Sequence, residues 1–188
     1  SRMGSITSDQ PKCMTELTGK SLLQWQLDAL AQSVVGPVGI CTGYLDHTLV
    51  PFADTTFHNA RWSETQMLRS LMCAEPWLST ETCVVTYSDI AYEADAVAPL
   101  RDAPGDVVIT YHTGWQAIWE ARFEDPLSDA ETFKTTSDGL LAEIGGRADH
   151  ISEICGQYMG LLKFTPRGWS QVTQFLSQHD EHTVDRMD

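Results

Sequence analysis

The sequence predicts an α/β fold: a mostly parallel sheet with helices on both faces. Short apolar, β-branched runs, helical periodicities between them and brief connections together predict it. Leu23, Leu27, Leu30 and Val34 recur at helical spacing, so residues 21–34 form a helix that Gly36 and Pro37 stop. Residues 38–42 and Thr55–His58 read as short strands, with a Gly43-Tyr44 turn after the first. Met67, Leu68, Leu71, Met72 and Ala74 predict a second helix that ends near Pro76. Residues 82–87 read as a central strand running into Ser88-Asp89, followed by a helix over 94–100 and a strand over 106–111. The rhythm then changes. A helix over 115–123 precedes a hairpin of residues 131–136 and 140–144, turned at Ser137-Asp138-Gly139. A strand over 156–164 and a helix over 166–177, with proline at its start, complete the pattern. Residues 112–157 are therefore expected to be an insertion covering the ligand edge of one domain spanning 1–188. Ligands of parallel sheets sit beyond the carboxyl ends of the strands, where Thr42-Gly43-Tyr44, Ser88-Asp89 and His112 fall.

Composition narrows the function. Apolar residues make up 42% of the chain and charged residues 20%, as in a globular domain with a real core. A formal charge of −14 argues against binding a nucleic-acid polymer, which needs a cation-rich surface, but permits a small anion held by a few local cations and a metal. Neither an apolar run of membrane-spanning length nor a basic-then-apolar leader is seen, so a cytoplasmic protein is expected. Cys13, Cys41, Cys73, Cys83 and Cys155 are scattered, as core thiols in a reducing compartment would be. His179 and His182 have the spacing of metal ligands, but in an acidic tail they read as solvated.

The first thirty residues are the most informative stretch. Arg2 and Lys12 bracket Gly4, Ser5, Thr7, Ser8 and Pro11, a composition that lets backbone N–H groups approach a polyphosphate while two cations neutralise it. Further along stand Gly19-Lys20-Ser21-Leu22-Leu23, Thr42-Gly43-Tyr44, Asn59-Ala60-Arg61-Trp62-Ser63-Glu64-Thr65 and Tyr87-Ser88-Asp89-Ile90. Arg122-Phe123, Asp125-Pro126-Leu127-Ser128-Asp129-Ala130-Glu131 and Gly156-Gln157-Tyr158-Met159-Gly160 follow. With Ser1-Arg2-Met3 and Pro11-Lys12-Cys13, these segments resemble, in order and spacing, the small nucleotidyltransferases, specifically cytidylyltransferases acting on phosphocholine and small phosphonates.

The resemblance implies a Rossmann-like three-layer nucleotidyltransferase fold with an inserted helix–hairpin lid over the acceptor. It also implies Mg²⁺-dependent transfer of CMP from CTP to a small phosphonate or phosphorylated alcohol, with release of pyrophosphate. Arg2 would hold the leaving phosphates, Lys12 the α-phosphate and Asp89 the metal. Ser1, Thr42, Gly43, Tyr44, Thr65, Ser70 and Ser88 would line the nucleotide, although Thr65 also fits a simple helix cap. His112, Trp115, Trp119, Arg122, Asp129, Glu131, Gln157 and Tyr158 would hold the acceptor, with ordinary packing as the other reading of the tryptophans and of Gln157 and Tyr158.

Where relatives often carry a carboxylate this chain has His112-Thr113-Gly114, which favours an uncharged head group, as in 2-hydroxyethylphosphonate, over choline. The family's first strand, and a last strand bearing a second metal carboxylate, are expected outside these 188 residues, which would leave a gap in the sheet. Fusion to, or a shared pathway with, a phosphonate-forming enzyme, as in antibiotic biosynthesis, fits the resemblance, and the oligomeric state stays open. A sugar-1-phosphate nucleotidyltransferase and a non-catalytic nucleotide-binding domain are the alternatives.

Overall fold

A computed structural model describes residues 9–187. The chain divides into two compact units, one of Ser1–Val108 with Leu162–Asp188 and the other of Ile109–Leu161.

In the larger unit, β1 (Glu16–Leu17) and β2 (Lys20–Ser21) form a tight antiparallel hairpin. Thr18 and Gly19 turn it with φ of 51° and 86°, the positive values that a two-residue hairpin loop demands. Ser21 then caps α1 (Leu22–Gln32), its hydroxyl accepting from the Gln24 N–H at 3.1 Å. Of the expected stripe Leu23 is buried and Leu27 packs against its cluster, while Gln26, Ala29 and Ser33 complete the buried face. Val34 lies outside the helix, left-handed at φ 54° and 83% exposed. The Ser33 hydroxyl ends the helix by donating to the carbonyls of Ala29 and Ala94.

β3 (Gly39–Thr42) and β4 (Thr55–His58) pair in parallel, Gly39 opposite Thr55 through Thr42 opposite His58. α2 (Met67–Met72) is shorter than expected. Pro76 does not end it but lies in the first turn of α3 (Glu75–Leu78), where its missing N–H costs nothing. β5 (Cys83–Thr86) and α4 (Ala94–Asp102) follow, and β6 (Val107–His112) leads into the smaller unit. There α5 (Trp115–Arg122) precedes a hairpin of β7 (Glu131–Thr135) and β8 (Leu141–Arg147). The chain returns along β9 (Gln157–Phe164) to α6 (Pro166–Leu176) and α7 (Glu181–Val184).

The expected single sheet is divided. β9 lies between β5 and β6 in a three-stranded sheet, whereas β3 pairs only with β4, and among the described residues no strand joins the two. Packing unites what hydrogen bonds do not. Ala74, Leu78, Phe164 and Trp169 form a core that takes in Cys41 and Phe57 from the parallel pair and Cys83 and Val85 from β5. A second cluster, Cys13, Leu23 and Leu49 with Ile40 and Phe52, ties the amino-terminal loop to α1 and β3. In the smaller unit Trp115, Ala130, Ala148 and Ile154 form a separate core.

Lys163 is buried in the larger unit, with its ammonium donating to the backbone carbonyls of Arg101 and Ala103. Gly168 lets α6 approach β6 closely, because a Cβ there would lie 2.1 Å from the Asp106 carbonyl oxygen. Gly168→Ala should therefore destabilise the protein by about 1–3 kcal/mol through forced backbone displacement. Urea unfolding measures this, and an unchanged midpoint would rule out the close approach.

Candidate functional site

Pro11 leads into a 3-10 turn over Lys12–Met14, closed by the Met14 N–H donating to the Pro11 carbonyl and the Thr15 N–H to the Lys12 carbonyl. Cys13 points into the core and is 4% exposed, so its neighbour Lys12 is turned outward on an anchored base. Burial pushes the Cys13 thiol up, a backbone hydrogen bond partly offsets this, and the charge of Asp89 adds to the rise. It is a packing residue and no nucleophile.

Lys12 Nζ lies 3.2 Å from Asp89 Oδ2, although the two residues are 77 positions apart. Asp89 follows β5 in a loop that one buried side chain holds on both sides. Gln26 Nε2 donates to the carbonyls of Tyr87 at 2.9 Å and Ile90 at 2.7 Å, bracketing Ser88-Asp89. The lysine and carboxylate side chains are 43% and 36% exposed, so the pair contributes under about 1 kcal/mol to stability. Its value is in position: a cation and an oxygen donor stand together and open to solvent. Ser1 and Arg2 lie outside the described residues.

At the end of β3, Thr42 is buried, its Oγ1 3.4 Å from His58 Nδ1, and Asp46 Oδ2 lies 3.5 Å from the same nitrogen. Gly43 is needed because a Cβ there would stand 2.5 Å from that of Trp62, whose ring packs 5.5 Å from Tyr44. The candidate nucleotide residues Thr65 and Ser70 are brought together by Asn59, which is buried. Its amide donates to Thr65 Oγ1 and Ser70 Oγ, each at 3.0 Å, and its carbonyl oxygen accepts from the Arg61 N–H. Thr65 is not the helix cap of the alternative reading. Gln66 holds that place, its N–H donating to the Asp185 carbonyl, while the Thr65 hydroxyl donates to the Arg61 carbonyl.

Asp185 secures this segment through its side chain as well, accepting from Arg61 Nη2 at 2.5 Å and Arg69 Nε at 2.6 Å. Burial pushes its carboxyl up, but hydrogen bonds and charge from Arg61 and Arg69 outweigh burial and hold it below the ordinary value.

In the smaller unit the expected acceptor residues divide. Trp115 is 3% exposed and belongs to the core, and Trp119 packs edge-on against it at 6.1 Å. The Arg122 guanidinium lies 5.5 Å from the Trp119 ring centroid and 5.1 Å from that of Phe123. Gln157 is also buried, and its amide is committed: it donates to the Glu131 and Gly156 carbonyls and accepts from the Glu131 N–H. It clamps the start of β7. Tyr158 is half-buried, and His112 is exposed beside Gly114, where a Cβ would meet its ring at 2.9 Å. Asp129 and Glu131 line a groove of about 450 Å³ with Ser128, Gly145, Gly146 and Arg147.

Gln26, Asn59, Asp185 and Arg147 escape a reading of the sequence. Asn59 alone carried a signal, its place in a quoted motif. Among the described residues no three His, Cys, Asp or Glu side chains gather as a metal-binding group, and no helix is long and apolar enough to cross a membrane.

The model of the MobA-like NTP transferase domain matches residues 1–178. A CTP:phosphoglutamine cytidylyltransferase of Campylobacter jejuni is 32% identical over 190 residues, covering 96% of this chain and 75% of that protein. The solved inositol-1-phosphate CTP transferase of T. maritima is similar in fold, with a TM-score of 0.65 at 16% identity, over 96% of this chain and 74% of that one. A CTP:phosphocholine cytidylyltransferase from Streptococcus pneumoniae gives 0.61 at 12% identity, over 93% and 70%.

The Asp185 contacts imply a definite pH dependence. A carboxyl held below its ordinary 3.8 stabilises the fold fully above that value, and the contribution is lost as pH falls through the folded-state value. Asp185→Asn should therefore lower stability at neutral pH and flatten the acid limb of the stability profile. Thermal unfolding between pH 2.5 and 7 checks it, and parallel profiles for the two proteins would refute it.

Proposed function

This chain belongs to the MobA-like NTP transferase family, and we propose that it moves CMP from CTP onto a small phosphorylated or phosphonate acceptor, releasing pyrophosphate. The juxtaposition of Lys12 and Asp89 carries the reading. The choice of CTP is supported by the relatives, since the similar protein of C. jejuni is a CTP:phosphoglutamine cytidylyltransferase.

The reaction brings an anionic oxygen onto the α-phosphorus of a triphosphate, so charge neutralisation and alignment decide its rate. Lys12, anchored through Cys13, holds its ammonium where charge builds on the α-phosphate. Asp89 is a half-exposed oxygen donor on a loop fixed by Gln26, which suits Mg²⁺, an ion that takes few protein carboxylates and keeps several waters. When bound, Mg²⁺ would supply charge neutralisation across the phosphates. Arg2 is assigned the departing phosphates by its place in the motif. The hydroxyls of Thr65 and Ser70, gathered by Asn59, are the candidates for reading the cytosine edge with Thr42 and Tyr44. A site built to hydrogen-bond cytosine rejects uracil because its polar groups would be left unpaired.

Phosphonates such as 2-hydroxyethylphosphonate, phosphocholine and phosphoglutamine are the acceptors to compare. An exposed, poised lysine–aspartate pair favours catalysis over nucleotide storage.

Lys12→Ala should lower turnover about 10²–10³-fold while CTP binding changes little, as loss of a group acting mainly on the transition state does. Asp89→Asn should remove Mg²⁺-dependent activity. Pyrophosphate release, with the fold checked by circular dichroism, measures both, and wild-type turnover in either variant would remove that residue from its role.

A further inference from the structure

Thr65 and Ser70, the two hydroxyls assigned to the base, lie on different elements. Thr65 ends a turn that starts after Asn59 and exposes residues 60–64, whereas Ser70 sits within α2 beside Arg69. In the turn the Trp62 N–H donates to the Asn59 carbonyl at 3.2 Å, and the N–H groups of Glu64 and Thr65 donate to the Arg61 carbonyl. An exposed turn held by bonds of this kind opens readily unless side chains fix it. Asn59 and Asp185 do so from opposite ends of the sequence.

Asn59 sets the polarity of the two hydroxyls. Its carbonyl oxygen accepts from the Arg61 N–H at 2.9 Å, so its amide nitrogen faces Thr65 and Ser70 and donates to each oxygen at 3.0 Å. The Thr65 hydroxyl gives its own proton to the Arg61 carbonyl at 3.0 Å, so what it has left for a ligand is a lone pair. Ser70 Oγ accepts from Asn59 and keeps a proton to give. An acceptor and a donor thus lie within 3.0 Å of one nitrogen. Asp185 sets their spacing. Its carboxylate bridges the turn and the helix, accepting from Arg61 at 2.5 Å and Arg69 at 2.6 Å, while its carbonyl accepts from the Gln66 N–H at the junction at 2.8 Å. The Asp185 side chain is 12% exposed, which leaves these charge-assisted bonds less screened than a surface pair. Glu181, at the start of α7, adds a contact to Arg61 Nη1 at 3.0 Å. A bridge from turn to helix is a bridge from Thr65 to Ser70.

We propose that these hydroxyls select cytosine by the direction of their hydrogen bonds, with Asp185 as the positioning residue that keeps them in place. Thr65 Oγ1 accepts from the exocyclic amine of the base, and Ser70 Oγ donates to the ring nitrogen beside it. Uracil turns a carbonyl oxygen toward the Thr65 lone pair and puts an N–H where Ser70 would donate, so the contacts that hold cytosine are lost. A hydroxyl free to rotate could serve either base. The Thr65 proton is held by the Arg61 carbonyl, and Arg61 in turn by Asp185. The inference rests on the reading of the protein as a cytidylyltransferase.

The test is calorimetric titration of CTP and of UTP, each with Mg²⁺, into the full chain, with circular dichroism confirming the fold of every variant. The wild type should bind CTP about tenfold or more tighter than UTP. Ser70→Ala and Asp185→Asn should each weaken CTP about tenfold while UTP changes by about twofold or less, so the preference falls. Arg61→Met, which leaves Asp185 paired with Arg69, should act in the same direction, and it decides the matter if Asp185→Asn does not fold. Gly168→Ala, destabilised through the close approach of α6 to the Asp106 carbonyl, should keep the wild-type ratio, which separates positioning from loss of stability. A wild-type ratio in any of the Ser70, Asp185 and Arg61 variants overturns the inference, as does an equal fall in Gly168→Ala. A wild type that binds neither nucleotide, or both alike, removes the cytidylyltransferase reading and the inference with it.

Discussion

A lysine and an aspartate, both open to water and 3.2 Å apart, are the constraint around which the larger unit is arranged. Two long side chains on separate loops do not hold such a geometry by their own attraction, which solvent reduces to about 1 kcal/mol or less. The geometry comes from behind them. Cys13 buries the base of one loop beside Leu23 and Leu49, and Gln26 stitches the other loop on both sides of Asp89. Leu23 and Gln26 share one face of α1, so a single helix fixes both partners. A hydrophobic anchor and a neutral amide thus do work that the charges themselves cannot.

The same economy explains how an acidic chain handles anions. In a chain with a formal charge of −14, several of the described cations are neutralised at home: Arg61 and Arg69 by Asp185, Lys20 by Asp28, Arg101 by Asp102, Lys134 by Glu143. Lys163 is spent on backbone carbonyls. Against that background, a cation that is exposed at a loop or lacks a carboxylate partner stands out as one that can meet a ligand. Lys12 is such a cation in the larger unit, with a carboxylate 3.2 Å away. A mixed-sign pair of this kind places a cation at the surface without a large local excess of positive charge.

Periodicity made most elements legible before any coordinates. The strand Thr55–His58, the hairpin and the proline-started α6 needed only alternation, turn residues and caps. Contacts between distant elements were not legible. Gln26 reads as a polar residue on a helix, and nothing in its surroundings says that it bonds to a loop 61 residues away. Asp185 reads as one acid in an acidic tail, yet it organises two arginines. The errors have related causes. Val34 continued a stripe that Ser33 had already ended by bonding back to Ala29, and Pro76 was read as a stop where it serves as a start. Trp115 and Gln157 stood in segments matching a functional motif, and no sequence pattern told that the first would be buried in a core and the second bonded to the Glu131 backbone.

The Lys12–Asp89 contact also bears on how the proposed reaction would begin. Each charge is the other's partner at 3.2 Å, so neither is left uncompensated. In the proposed reaction phosphate oxygens would take the place of the carboxylate as the lysine's partner, and Asp89 would be left to hold a divalent cation that neutralises phosphate charge. The exchange breaks a contact of about 1 kcal/mol at most and gains interactions in a site that the ligand itself makes drier, where charges act more strongly. Because backbone and buried groups hold both loops, the partners can change without the loops moving. Catalytic groups that need no rearrangement at the moment of reaction lose none of their stabilising effect to reorganisation. A buried, tightly bonded pair would have been the worse design, since separating it would cost about 3–5 kcal/mol before any phosphate was bound.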